Sequence, residues 1–371
     1  LAKHAKPASA RLYVLLLISV LVLALCGGGF VVYKNVIGTT TTTTIAKEKK
    51  QVGWTVISSS KRGVMVDYRV IVVPTKNSTT TTSSATATAT VGADFTVLRM
   101  RARTTLLRWH SGSQDPPTSI KLPLDMGPHI DWKSEGPAGI IAVFNGGFKK
   151  AAKAGGALDD GVTLEPLVRG DMTIAINALG HWEMGAWESK GFPTKDFKAI
   201  SYRQNLLPLV LKGVVAPTTT TNPMAWGDPL RHVLAQPRTG LGIDANGNLI
   251  YVASMTGVLP SQVGAALVDA GAVTGMELDM NPFWPIMGAS ATPLHTQSGT
   301  FNLQLKGSQH SAGVFETGWE RDFFTVMAEP STWQCNWQSP GGISKNKITP
   351  QPLAAVGTGC KGIVKAAARK P

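Results

Sequence analysis

Residues 12–32 read LYVLLLISVLVLALCGGGFVV, 21 positions without a charge. No other feature constrains this chain as strongly. A bilayer core is crossed by about 20 apolar residues in helical form, because lipid leaves unpaired backbone amides unsatisfied. The stretch is expected to be one transmembrane helix. Lys3, Lys6 and Arg11 precede it without any acidic residue, and positive charge stays on the cytoplasmic side. That predicts a cytoplasmic basic tail at 1–11, an anchor at 12–32, and a cell-membrane protein whose bulk is extracytoplasmic. Tyr13 and Tyr33 fall near the two ends, where aromatic rings with a polar tip are favoured. A cleaved signal peptide needs a small-x-small site after its apolar run. None follows Cys26, so the segment reads as retained, with Cys26 an ordinary apolar residue of it.

Charge separates the tether from the domain. Of 36 Lys and Arg and 23 Asp and Glu in the chain, residues 91–330 hold 19 and 21, and everything outside holds 17 and 2. A nucleic-acid-binding domain carries its positive charge on the folded face, so no nucleic-acid partner is expected. A basic tether and tail suit attraction to an anionic membrane or wall polymer; plain basic linkers fit equally well. Cys335 and Cys360 lie in the tail with no histidine close by in sequence. Two sulfurs make only half a zinc shell, and in an oxidising compartment they read as a disulfide.

Threonine runs at 39–44 and 78–90 read as extended linker, giving a Thr-rich linker over 33–90. Between them GVMVDYRVIVVP at 63–74 is strand-like. It fits either a strand pair close to the membrane or a strand added to the main domain. That domain is expected over 91–330, followed by a basic carboxyl-terminal extension at 331–371. Within it, 95–101 alternates as a half-buried strand does, and GIIAVF at 139–144 reads as a buried one. Hairpins are expected at 172–187 and around Asn246-Gly247, the strongest short hairpin signal. Ser261 caps a short helix to Ala270 that buries Val263, Ala266, Leu267 and Ala270. Strands follow at 273–279 and 323–328. Strands dominate and helices are few and short, which is an α+β domain with mixed or antiparallel sheets.

Three constellations carry chemistry. Asn145-Gly146-Gly147-Phe148 follows a buried strand, and paired glycines let successive N–H groups converge on one anion, with Asn145 adding an amide donor. A plain glycine turn into Lys149-Lys150 fits the same letters. In Met276-Glu277-Leu278-Asp279 the i, i+2 spacing puts both carboxylates on one strand face, where repulsion raises one pKa. A salt bridge or a water-facing edge strand is the plainer alternative. The loop Asn281-Pro282-Phe283-Trp284-Pro285 can wall a sugar pocket. Arg238-Thr239 offers a guanidinium fork that matches a phosphate, although a lone arginine is more often an ion pair. The histidines show no metal-binding spacing, and no phosphate-loop, Rossmann or nucleophile-elbow pattern occurs. Neither metal nor cofactor is expected.

Val143-Phe144-Asn145-Gly146-Gly147-Phe148-Lys149, then Pro237-Arg238-Thr239-Gly240-Leu241-Gly242-Ile243, then Gly275-Met276-Glu277-Leu278-Asp279, then Trp319-Glu320-Arg321-Asp322-Phe323-Phe324, resemble in order the phosphodiester glycosidase family over about 94–330. The resemblance implies hydrolysis of a sugar-1-phosphodiester in an envelope glycan or glycolipid. It implies a pocket of Asn145, Gly146, Gly147, Arg238 and Thr239, with Asp279 matching the aspartate of a late Leu-Asp-Gly-Gly motif. Here Met280 and Asn281 replace both glycines. On this reading Arg238 and the glycine amides neutralise the departing phosphodiester. Glu277 or Asp279 activates water or steadies the cationic sugar carbon, and Asn281 and Trp284 contact substrate. The rival is a non-catalytic wall- or glycan-binding module with a degenerate pocket.

Overall fold

The computed structural model describes residues 53–82, 85–116, 128–297 and 299–329, together with the backbone of four two-residue strands between 338 and 352. The expected anchor, Cys335 and Cys360 lie outside the described residues. Among the described residues no helix is long and apolar enough to cross a membrane.

Three antiparallel sheets build the domain. The largest begins with β1 (Thr55–Ser60), β2 (Gly63–Thr82) and β3 (Ala85–Met100). Strand 63–74 therefore joins the main domain. The threonine-rich stretch, expected as a linker, forms the far end of the β2–β3 hairpin, with Thr82 opposite Ala85. β-branched threonine fits a pleated strand once a partner strand is supplied. The second sheet contains β4 (Thr105–His110), β5 (Ile140–Asn145), β16 (Met287–Leu294), β17 (Leu303–Gln304) and β18 (Phe323–Ala328). The third contains β6 (Ala157–Asp159), β7 (Val162–Glu165), β8 (Met172–Asn177), β9 (Trp182–Ala186) and β10 (Ala199–Gln204).

The first sheet continues through β13 (Gln236–Asp244), β14 (Leu249–Val258) and β15 (Ala272–Met280), and ends in the short β11 (Val210–Leu211) and β12 (Val214–Val215). Asn246-Gly247 makes the expected hairpin turn between β13 and β14, with Gly247 at φ 79°. One face of this sheet packs Leu98, Tyr251, Met276 and Leu278 with Trp109, Phe144 and Phe324 of the second sheet. The other face packs Phe95, Val97, Val252 and Met280 against α1 (Pro260–Asp269). Val263, Ala266, Leu267 and Ala270 line the buried side of α1 as expected. Its cap lies two residues earlier than Ser261. Leu259 precedes Pro260 in the first helical position, and its N–H donates to Gln262 Oε1 at 3.0 Å. A proline there loses no hydrogen bond, since that amide has no partner inside the helix.

Candidate functional site

The candidate site lies where the end of β15 meets the turn after β5 and the entry to β18. Against β13, Gly240 pairs with Glu277 but Arg238 pairs with Met280, so β15 carries one extra residue. A bulge of this kind re-aims the side chains beyond it. Met276 and Leu278 pack toward the second sheet, whereas Met280 packs in the cluster beneath α1. Strict alternation therefore fails between Leu278 and Met280. Glu277 and Asp279 do not form the shared-face pair expected from their spacing, and each is held by a different arginine.

Glu277 is fully buried and bonds Arg238 Nη1 through Oε1, while its Oε2 has no partner. Arg238 is fully buried too. It donates from Nε to Val258 O at 3.0 Å, from Nη1 to Trp226 O at 3.1 Å and from Nη2 to Leu234 O at 3.0 Å. The fork expected to receive phosphate is spent on one carboxylate and three carbonyls. Arg238 ties loops together and is not placed to meet a ligand.

The glycine amides are both spent on Asp322, one on its backbone carbonyl and one on its carboxylate. Gly146 N–H donates to Asp322 O at 2.8 Å, and Gly147 N–H to Asp322 Oδ2 at 3.1 Å. A Cβ at Gly146 would overlap the Asp322 carboxylate, and one at Gly147 would stand 2.8 Å from Asn205 Oδ1. Arg203 completes the cage, donating from Nε to Asp322 Oδ2 at 2.8 Å and from Nη2 to Oδ1 at 3.2 Å. Gly146→Ala should therefore destabilise the domain by about 1–3 kcal/mol, the usual cost of overpacking, read as a lower urea midpoint. Asn145 is likewise committed. It accepts from Tyr251 OH at 2.8 Å and donates to Thr239 Oγ1 at 2.9 Å, and Thr239 donates to Asp279 O at 2.7 Å. This chain of bonds fixes the backbone at Asp279. Asn145 and Thr239 position the site instead of reaching into it.

Asp279 and Arg321 remain. Asp279 accepts from Met280 N–H at 2.9 Å and from Arg321 Nη2 at 2.7 Å. Arg321 also reaches Gly147 O at 3.2 Å and, through Nη1, Asp115 Oδ2 at 3.9 Å, while its Nε has no partner. It lies 5.0 Å over the Trp284 ring. Trp284 neighbours Phe283 at 6.4 Å and Trp319 at 6.1 Å, and His310 stands 4.9 Å from Trp319. A buried guanidinium with an unpartnered Nε, a carboxyl and a wall of aromatic rings thus share one place. The Met280-Asn281 departure does not block it. Met280 turns into the core, and Asn281 takes the left-handed conformation, φ 77°, that glycine otherwise favours. Asparagine tolerates that region, and Asn281 Oδ1 accepts Phe283 N–H at 3.1 Å.

Burial pushes the Asp279 carboxyl up to about 7 against the pull of Arg321. Burial likewise pushes Glu277 to about 7 against Arg238, with Asp279 only a minor contributor. Desolvation outweighs charge repulsion here, contrary to the expectation from sequence. Both carboxyls bind protons more tightly folded than unfolded. Their contribution to stability is therefore full below about pH 4 and is lost as pH rises toward 7. The slope reaches up to about 1.4 kcal/mol per pH unit for each group. A melting temperature that falls from pH 5 to pH 8, with a shallower slope in Glu277→Gln, is the expected result.

Arg203, Asn205, Arg321 and Asp322 were not given roles by the sequence. The last two stand in Trp319-Glu320-Arg321-Asp322-Phe323-Phe324, the closing segment of the resemblance, which carried no role for them. Arg203 and Asn205 stand at or just past the end of β10, where no motif marks them.

No family model and no curated protein matches this chain. Among solved structures, the catalytic domain of zebrafish N-acetylglucosamine-1-phosphodiester alpha-N-acetylglucosaminidase, auto-inhibited by its pro-peptide, is similar at 13% identity. Its TM-score is 0.42, over 75% of this chain and 88% of that one. A hypothetical protein from Synechocystis is similar at 11% identity and a TM-score of 0.42, over 71% of this chain and 62% of the other.

Proposed function

We propose that the domain hydrolyses the glycosidic bond of a sugar-1-phosphodiester in an envelope glycan or glycolipid, at Asp279 and Arg321. The observation that carries this reading is the pairing itself. Arg321 keeps an unpartnered Nε beside a carboxyl whose pKa is raised to about 7, under Trp284. An arginine edge offers a phosphate directed, charge-assisted bonds, and aromatic rings offer the apolar face of a sugar a flat surface.

The chemistry needs little more. The bond from the anomeric carbon to the phosphate oxygen breaks, and its electron pair leaves with a phosphate monoester. Arg321 neutralises the growing charge there, which is where fixed electrostatics contribute most. Water adds to the anomeric carbon, and its proton passes to the ionised Asp279 carboxylate or to solvent. A carboxyl with a pKa near 7 is matched to that exchange at neutral pH. Glu277 is sealed behind Arg238 and supports the site from beneath.

One observation favours the rival, a non-catalytic glycan-binding module. Asn145, Gly146, Gly147 and Arg238 all spend their donors internally, leaving few groups to hold a transition state. An assay separates the two. N-acetylglucosamine-1-phosphodiester and a panel of wall and glycolipid phosphodiesters are offered to the full chain, and released sugar is read. Turnover supports hydrolysis; saturable binding without turnover on every member supports the binding module.

A further inference from the structure

Six exposed apolar side chains lie on segments that meet around Arg238 and Asn281. Met224 is 43% exposed, Leu230 47%, Val233 53%, Leu234 36%, Leu259 37% and Phe283 43%. Although they come from three segments of chain, Arg238 gathers them. Its guanidinium bonds the carbonyls of Trp226, Leu234 and Val258 at once, so the loops bearing Met224, Leu234 and Leu259 meet within one side chain's width. Gln236 Nε2 adds bonds to Val233 O at 2.8 Å and Leu230 O at 3.3 Å. Asn281 N–H donates to Pro237 O at 2.9 Å, which brings Phe283 alongside. The loop also carries two successive residues in the left-handed region, Arg231 at φ 56° and His232 at φ 57°. Such conformations are unfavourable outside glycine and persist where the surroundings impose them. A buried ion pair thus holds an apolar loop outward.

Contiguous exposed apolar surface in a folded domain marks a place that something covers. Phe283 belongs both to this patch and, through Trp284, to the Arg321 pocket. A buried guanidinium with an unpartnered Nε at one end and exposed apolar side chains beyond it match the charge layout of an amphiphile with an anionic head. We propose that the patch receives the hydrocarbon chain of a lipid-linked sugar phosphodiester, whose phosphate sits at Arg321. This rests on the hydrolytic reading above and narrows its substrate to an apolar aglycone.

The test is a series of N-acetylglucosamine-1-phosphate esters with methyl, butyl and octyl groups, all used as monomers with the full chain in nanodiscs. Each buried methylene is worth up to about 0.8 kcal/mol. Even partial burial should therefore lower KM at least about tenfold from methyl to octyl, with kcat unchanged. The triple variant L230S/V233S/L234S alters only exposed side chains, and it should lose this trend while keeping the native kcat/KM on the methyl ester. A flat series in the native chain, or a trend that survives in the variant, overturns the proposal. A variant that changes oligomeric state, alongside a flat series, assigns the patch to a second copy of the chain. Binding of the same esters, followed by tryptophan fluorescence, reads the trend without turnover. A chain-length dependence in binding with no hydrolysis of any ester would sink the hydrolytic reading and leave the lipid patch standing.

Discussion

Asp279→Asn is expected to remove turnover, lowering kcat by roughly 10²–10⁴-fold, the usual contribution of a positioned acid or base. The substitution keeps the shape and the acceptor that Met280 N–H uses at 2.9 Å. It removes the carboxylate proposed to take the proton of the attacking water. Folding should change little, because burial already favours the neutral carboxyl. A shift of about 1 kcal/mol would move the melting temperature by only about 2–4 °C in a domain of this size. Released sugar and thermal melting are measured on the same preparation. Equal turnover by the two proteins would end the assigned role of Asp279.

Arginine substitutions should separate structure from binding. Arg238→Ala leaves Glu277 buried without its partner and frees three loop carbonyls. Breaking a buried pair in this way typically costs about 3–5 kcal/mol, so this variant should unfold at much lower denaturant or fail to accumulate. Arg321→Ala should instead fold, since it frees only one loop carbonyl, Gly147 O, and leaves behind Asp279, a carboxyl that burial already favours in its neutral form. Its loss is expected to weaken phosphodiester binding by about 2–5 kcal/mol, read as a higher KM or Kd. The two outcomes exchanged, with Arg238→Ala stable and ligand-blind and Arg321→Ala unfolded, would restore Arg238 as the phosphate receptor.

Much of the fold was legible in local pattern. The apolar run of β5, the Asn246-Gly247 turn and the buried side of α1 each follow from short-range chemistry that no distant contact overrides. The β2–β3 hairpin was misread because a threonine run has no pattern of its own and becomes strand only when a partner strand pairs with it. The site was legible in its residue types and not in their assignments. Spacing alone put Glu277 and Asp279 on one face, but a single extra residue against β13 undid that, and a bulge leaves no mark in the letters between Glu277 and Asp279. The glycine turn after β5 was expected either to cradle an anion or to be a plain turn, and in the structure one of its two amides meets a carboxylate. That carboxylate belongs to Asp322, 176 positions after Gly146 in the numbering, and no local reading pairs residues so far apart. Both arginines stand in segments of the resemblance, and only their hydrogen-bond partners, set by distant loops, separate Arg238 with every nitrogen bonded from Arg321 with an unpartnered Nε.

The central claim is that the glycosidic carbon–oxygen bond is the one cleaved, at the Arg321–Asp279 pair. Hydrolysis of an N-acetylglucosamine-1-phosphodiester by the full chain in ¹⁸O-labelled water tests it most directly. Mass spectrometry of the sugar and ³¹P resonance of the phosphate then locate the label. The account predicts ¹⁸O in the released sugar and an unlabelled phosphate monoester; label in the phosphate would show attack at phosphorus and contradict it.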